Sequence, residues 1–230
     1  NPAVGCVIVK DGCVVSAAST NINGRPHAEY KALNNMVKHV ANILNELNTY
    51  VDKVVKDTEK SKTLDHGKKL VGQVKQEFYI EPDFAKKCGW LDFLAQSAAK
   101  WIQVSTNREI KEFNLLKSWV VRQFENEYNP IHYHSGHISG AGFLKLPSSF
   151  GETSQEDKKL NENGNLKLVH GNKQFLSKCM YRIKPKVGEF YFFPHYLMHV
   201  VYPFNGSDEE RRSISFNAQV DDSVFNVFSS

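Results

Sequence analysis

Apolar and polar positions change rhythm along this chain, and each rhythm predicts a different element. Val4 to Val9 is an apolar run, Lys10-Asp11-Gly12 is a turn signal, and Cys13 to Ala18 is a second strand candidate. Gly24-Arg25-Pro26 reads as a loop, with a helix start near His27. Over residues 36–60, Val37, Val40, Ile43, Leu44, Leu47, Val51, Val54 and Val55 recur at three- and four-residue steps among Lys, Asp and Glu. That stripe predicts an amphipathic packing helix with no chemistry of its own. The polar run Asp57 to Lys69, with Gly67 inside it, reads as a linker.

From residue 70 the pattern shifts towards short strands. Val71 to Ile80 mixes apolar and polar positions like a strand, and Asp83 to Trp101 reads as helix. Strand candidates then follow at Leu115 to Phe124, Ile138 to Leu146, Leu166 to Val169, Tyr181 to Lys184, Glu189 to Phe193, His199 to Tyr202 and Arg211 to Val220. Turn residues separate most of them, and the polar segment Glu152 to Asn165 reads as an insertion between strands. So many short strands at this spacing predict an antiparallel sandwich or barrel. The expected organisation is a small α/β segment at 1–35, a helix and linker at 36–69, and a mainly β domain with flanking helices at 70–230.

Composition narrows the partners more than the fold. The 230 residues carry a net charge of +4 and 41% hydrophobic residues, ordinary for a soluble globular protein. No apolar stretch approaches the ~18–20 residues that span a membrane, and no basic start with an apolar run marks a signal peptide. The mild positive balance suits an anionic ligand, and no nucleic-acid-binding motif accompanies it. The four cysteines, Cys6, Cys13, Cys88 and Cys179, form no C-x-x-C pair. They read as buried free thiols in a reducing cytoplasm.

The chemical signal is concentrated in histidine. Asn129-Pro130-Ile131-His132-Tyr133-His134-Ser135-Gly136-His137 holds three of the chain's nine histidines. Residues two apart on an extended strand face the same side, so His132 and His134 aim at one point, with His137 beyond a Ser-Gly bend. Phe193-Pro194-His195-Tyr196-Leu197-Met198-His199 follows some sixty residues later. In Arg211-Arg212-Ser213-Ile214-Ser215-Phe216-Asn217, the residues Arg211, Ser213, Ser215 and Asn217 share a polar face, opposite Arg212, Ile214 and Phe216. A guanidinium fork beside a hydroxyl at one end of such a face suits a carboxylate. His195 reads as a rim residue, and His39, His66 and His170 as surface histidines.

His132-x-His134, Ser139-Gly140 with the strand ending Leu144-Lys145-Leu146-Pro147, Phe193-Pro194 ahead of His199, and Arg211-x-Ser213 together resemble the 2-oxoglutarate/Fe(II) oxygenase superfamily. Within it, residues of about 70–220 are most similar to the prolyl-4-hydroxylase-like branch of bacteria and marine phages. The resemblance implies a double-stranded β-helix, or jelly roll, with Fe(II) at its mouth and 2-oxoglutarate and O₂ as co-substrates, ascorbate being an optional reductant. It implies His132 as first and His199 as distal metal ligand, and Arg211 with Ser213 on the far carboxylate of 2-oxoglutarate. Tyr128, Asn129 and Tyr191 are pocket candidates. The implied reaction is hydroxylation of a prolyl residue in a peptide or protein, or of a small molecule, in the cytoplasm of a bacterial or phage-infected cell. The usual acid two residues after the first histidine is His134 here, and no acid lies between His132 and Gly151. The expected set is therefore His132, His134 and His199, with His137 or a distant carboxylate as alternatives. A non-catalytic jelly-roll module holding a structural metal is the competing reading.

The N-terminus carries a second resemblance. Asn1 to Gly12, with His27-Ala28-Glu29, is similar to the start of zinc-dependent deaminases of the riboflavin-biosynthesis type. That implies His27 as a zinc ligand and Glu29 as a proton shuttle. The site also needs P-C-x-x-C, which this chain lacks, Cys88 following Lys87. The expectation is a deaminase-derived fragment rather than a working nucleotide deaminase.

Overall fold

The computed structural model describes residues 5–10, 13–19 and 28–226, apart from 154, 156, 157 and 177, with side chains from residue 40 onward. The chain divides into two compact units. One comprises residues 1–47, 81–113 and 220–230, and the other 48–80 and 114–219. These boundaries differ from the expected 35 and 69.

The first unit opens with the antiparallel strands β1 (Gly5–Lys10) and β2 (Cys13–Ser19). His27, Asn1 to Val4 and the Gly24-Arg25-Pro26 loop of the deaminase-like stretch lie outside the described residues. Helix α1 (Ala28–Lys56) runs on from this unit into the second. Its buried positions Ile43, Leu47, Tyr50, Val51 and Val54 keep the helical step read from the sequence. The helix expected over Asp83 to Trp101 is two, α3 (Pro82–Lys87) and α4 (Trp90–Thr106), numbered here after the α2 introduced below. Gly89 separates them at φ 81°, a left-handed conformation that a residue with a Cβ adopts only with strain. The last helix, α5 (Asp222–Phe225), follows Asp221, whose carboxylate accepts the N–H groups of Lys111 and Glu112 at 2.8 and 3.0 Å.

The second unit holds the sandwich. The expected linker is instead helix α2 (Thr58–Leu64) and a 3-10 turn at Gly67–Lys69. Asp57 caps α2 by accepting the N–H of Lys60 at 3.0 Å, which makes a short polar run helical. Nine strands follow: β3 (Gln76–Tyr79), β4 (Phe113–Gln123), β5 (Asn129–His132), β6 (Ile138–Lys145), β7 (Leu166–Val169), β8 (Met180–Ile183), β9 (Phe190–Pro194), β10 (Met198–Val201) and β11 (Arg211–Val220). They form a five-stranded sheet of order β3-β4-β11-β6-β9 and a four-stranded sheet of order β5-β10-β7-β8, with antiparallel pairing. The fold is a jelly roll. Phe143 of β6 meets Leu166 of β7 and Ile183 of β8 in a buried cluster that joins the two sheets.

Charge also stitches this unit. Arg212, 2% exposed, donates to Glu210 at 2.7 and 2.9 Å and to Asp52 of α1 at 2.7 Å. Arg122 reaches the same Glu210 at 2.8 Å. Burial raises the Glu210 carboxyl, but the two guanidinium groups outweigh it and hold the group below its ordinary range. The free thiols of Cys88 and Cys179 are half-buried rather than buried. No helix among the described residues is long and apolar enough to cross a membrane.

Candidate metal centre

Three imidazoles converge where the two sheets open. His132 ends β5, His134 lies just beyond it, and His199 sits on β10 directly opposite His132 in the antiparallel register. The backbone N–H of His134 donates to the carbonyl of His195 at 2.9 Å, which holds the chain after β5 against the segment before β10. One ligand nitrogen from each ring lies within 4.8 Å of the others.

Tautomers follow from the carbonyls behind the rings. His132 Nδ1 lies 2.6 Å from the carbonyl of Pro130, and His199 Nδ1 lies 2.9 Å from that of Leu197. A carbonyl only accepts, so each Nδ1 carries the proton and each Nε2 presents a lone pair. Orientation of this kind, by a hydrogen bond at the far nitrogen, is the usual support of a metal-binding histidine. Burial lowers all three affinities for protons, and at His134 and His199 the neighbouring imidazoles add to the effect, taking them to about 3 and about 4. The rings are therefore neutral at pH 7.

The spacing tests whether a metal fits. His134 Nε2 and His199 Nε2 are 3.1 Å apart. Two nitrogens each ~2.1 Å from one ion and about 90° apart are separated by about 3.0 Å. A neutral triad with one pair at this spacing can close on a divalent ion. Trp119 edges against His134 and Phe193 against His199, fixing the rings from outside.

The triad opens into a cavity of about 150 Å³. Its wall includes Glu77, Asn129, Phe143, Leu166, Arg211 and Ser213. Arg211 is 1% exposed, donates to Ser213 Oγ at 3.3 Å and lies over the Phe143 ring, yet its Nε has no partner. Desolvation alone pulls its pKa down to about 10, and no carboxylate offsets it. A buried guanidinium without an anion is a costly arrangement that an anionic ligand would relieve.

The remaining sequence candidates fall in different places. Ser215 lines the cavity as the alternation predicts, whereas Asn217 accepts the hydroxyl of Ser139 at 2.9 Å. Asn129 lines the wall, but Tyr128 is 41% exposed, bridges to Gln73 through its backbone and is not part of the wall. Tyr191 donates to Glu189 at 2.6 Å and lies off the wall. His137 stands outside the triad, its N–H on the carbonyl of Ala218 at 2.8 Å, and among the described residues no Asp or Glu joins the three rings. His170 is exposed as expected, while His66 is half-buried with its Nε2 enclosed. The residue that sequence reasoning missed is Glu77. An acid on an edge strand reads as solvent-facing, and here it is 1% exposed.

Residues 117–217 match the 2OG-Fe(II) oxygenase family model. That segment, somewhat under half of the chain, is similar to the family. The matched segment includes the histidine triad and Arg211. Among solved structures, a prolyl-4-hydroxylase from Pseudomonas putida is 14% identical with a TM-score of 0.51, over 77% of this chain and 87% of that one. AviO1 from Streptomyces viridochromogenes is 14% identical with a TM-score of 0.50, over 81% and 86%. At such identity these likenesses concern the fold. No curated protein matches the chain.

Proposed function

We propose that this chain is an Fe(II)- and 2-oxoglutarate-dependent dioxygenase that hydroxylates a prolyl residue of a peptide or protein. One observation carries the reading: three neutral imidazoles and a buried guanidinium without a counter-ion share one cavity. The family match supports the co-substrate and the metal. The prolyl preference draws support from the sequence resemblance and from the fold shared with the Pseudomonas putida prolyl-4-hydroxylase.

In this reading His132, His134 and His199 hold the iron through Nε2, with the carbonyls of Pro130 and Leu197 fixing two of the rings. Arg211 and Ser213 receive the far carboxylate of 2-oxoglutarate in a charge-assisted pair that the protein has already desolvated. When bound, Fe(II) couples O₂ to oxidation of 2-oxoglutarate to succinate and CO₂ and to hydroxylation of a substrate C–H bond. Phe143, Leu166 and Val201 keep that wall of the cavity apolar and limit water at the reacting centre. Arg211 keeps its proton throughout, since about 10 lies well above pH 7.

The test is an anaerobic titration with Fe(II) and 2-oxoglutarate, followed by succinate release on adding O₂ with prolyl peptides. A metal-to-ligand charge-transfer band that weakens in His199→Ala is expected. Equal bands in both proteins remove His199 from the ligand set. The missing acid favours a second reading, a jelly-roll module with a structural metal. Stably held zinc or nickel whose spectrum ignores 2-oxoglutarate would establish it.

A further inference from the structure

The cavity contains an acid that neither the metal centre nor Arg211 uses. Glu77 on β3 lines the same wall, is 1% exposed, and faces the Asn129 side-chain amide with no cation paired to its carboxylate among the described residues. It does not belong to the imidazole cluster, so it is not the missing metal ligand among the described residues. Lys69 also lines the wall, but it is exposed and makes no ion pair with Glu77 among the described residues. Buried carboxylates are ordinarily paired, because an isolated one loses its hydration with nothing in return.

The backbone opposite packs closely against this carboxylate. A Cβ on Gly72 would stand 2.9 Å from Glu77 Oε1 and 3.2 Å from Asn129 Nδ2, so only a glycine lets the backbone approach both side chains this closely. Burial pushes the Glu77 carboxyl up to about 7, the Asn129 amide works against that rise, and Asp65 adds to it. A cation arriving at this carboxylate would restore the ionised form.

We propose that Glu77 pairs with a positively charged nitrogen of the primary substrate, which is therefore a small amine or a chain end with a free amine. This rests on the dioxygenase reading of the cavity. It sharpens the prolyl assignment, because the nitrogen of a prolyl residue inside a peptide is a tertiary amide with neither charge nor proton. Free proline or an N-terminal prolyl residue presents a protonated ring nitrogen, and an internal one does not.

The experiment uses the full chain loaded with Zn(II) and 2-oxoglutarate, so that no turnover occurs. Four probes are titrated as matched pairs: L-proline against N-acetyl-L-proline, and L-prolinamide against N-acetyl-L-prolinamide. Calorimetry reads affinity, and the ¹³C resonance of the Glu77 carboxyl reads its charge. The members with a protonated ring nitrogen are expected to bind about ten- to a hundredfold tighter than their acetylated partners and to move the resonance towards the carboxylate form. In Glu77→Gln that preference disappears while 2-oxoglutarate still binds. Gly72→Ala, whose methyl crowds Glu77 and Asn129 and displaces the carboxylate, gives the same loss and serves if Glu77→Gln melts early. The proposal is overturned if no probe with a protonated ring nitrogen binds, if the acetylated partners bind equally, or if Glu77→Gln keeps the preference. Failure of 2-oxoglutarate to bind in the same sample would instead sink the dioxygenase reading.

Discussion

Arg211 gives the sharpest test of the cavity, because its removal pushes stability and binding in opposite directions. The folded chain holds a guanidinium with no anion among the described residues, and desolvation lowers its pKa well below the ordinary guanidinium range, to about 10. At ~1.4 kcal/mol per tenfold, that corresponds to about 3 kcal/mol of disfavoured charge in the ligand-free protein. A cation whose folded pKa lies below its unfolded one destabilises the fold at every pH below the folded value, so the cost is in force at pH 7. Arg211→Met removes it. The variant also gives up the Ser213 bond and the Phe143 ring contact, worth about 1–2 kcal/mol together, and buries a thioether in their place. The metal-free, ligand-free variant should therefore be about 1–2 kcal/mol more stable, a rise of about 2–8 °C in midpoint for a chain of this size. Its 2-oxoglutarate affinity should fall at least about a hundredfold. Thermal unfolding and calorimetry read the two effects. A variant that melts lower and binds 2-oxoglutarate as before would refute the assignment and make Arg211 a structural member of the fold.

Other outcomes follow from the same geometry. His134→Asp places an acid where the resembling family has one, and Fe(II) should dissociate at least about tenfold more slowly, as metal analysis after gel filtration would record. In the metal-free chain, His199 titrates near 4 when folded and near 6.5 when unfolded. The unfolded state thus binds more protons below about pH 6.5, and stability should fall as the pH drops towards 4. At pH 5 the His199 share of the loss is about 2 kcal/mol, and His199→Asn should remove that share while His134 and His132 keep a residual slope. Glu210→Ala leaves Arg122 without its carboxylate and Arg212 with Asp52 alone. The expected destabilisation is about 3 kcal/mol, seen as a midpoint lowered by about 6–12 °C, and an unchanged midpoint would mean that solvent reaches the network.

Period-two alternation and turn punctuation made the sandwich readable, and Leu166–Val169 and Arg211–Val220 begin and end where the sequence reading put them. The triad was readable for the same reason, since His132 and His134 alternate along one strand direction and His199 returns on the neighbouring strand. Two local features were hidden by composition. A polar run with a good cap, Asp57 ahead of Thr58–Leu64, is a solvated helix, yet it has the same letters as a linker. Gly89 divides a continuous helical pattern because its left-handed φ reverses the chain, which apolar spacing does not register.

Glu77 was unreadable for a deeper reason. Its strand lies at the edge of the sheet, where an acid ordinarily meets water and also guards against edge pairing. Here the segment before it folds back: the N–H of His66 donates to the carbonyl of Glu77 at 2.7 Å, and Gln73 bridges to Tyr128. Only that return of the chain buries the carboxylate, and it is a long-range event with no period in the sequence. The functional consequence is one of charge. A divalent ion on three neutral imidazoles, together with Arg211, leaves three positive charges facing a co-substrate dianion, and a buried carboxylate in the same cavity completes neutrality. A substrate cation at Glu77 then adds one positive charge to a balanced site. The order of binding thus becomes directional: the amine is drawn most strongly before the metal arrives, whereas the dianion is drawn most strongly after it.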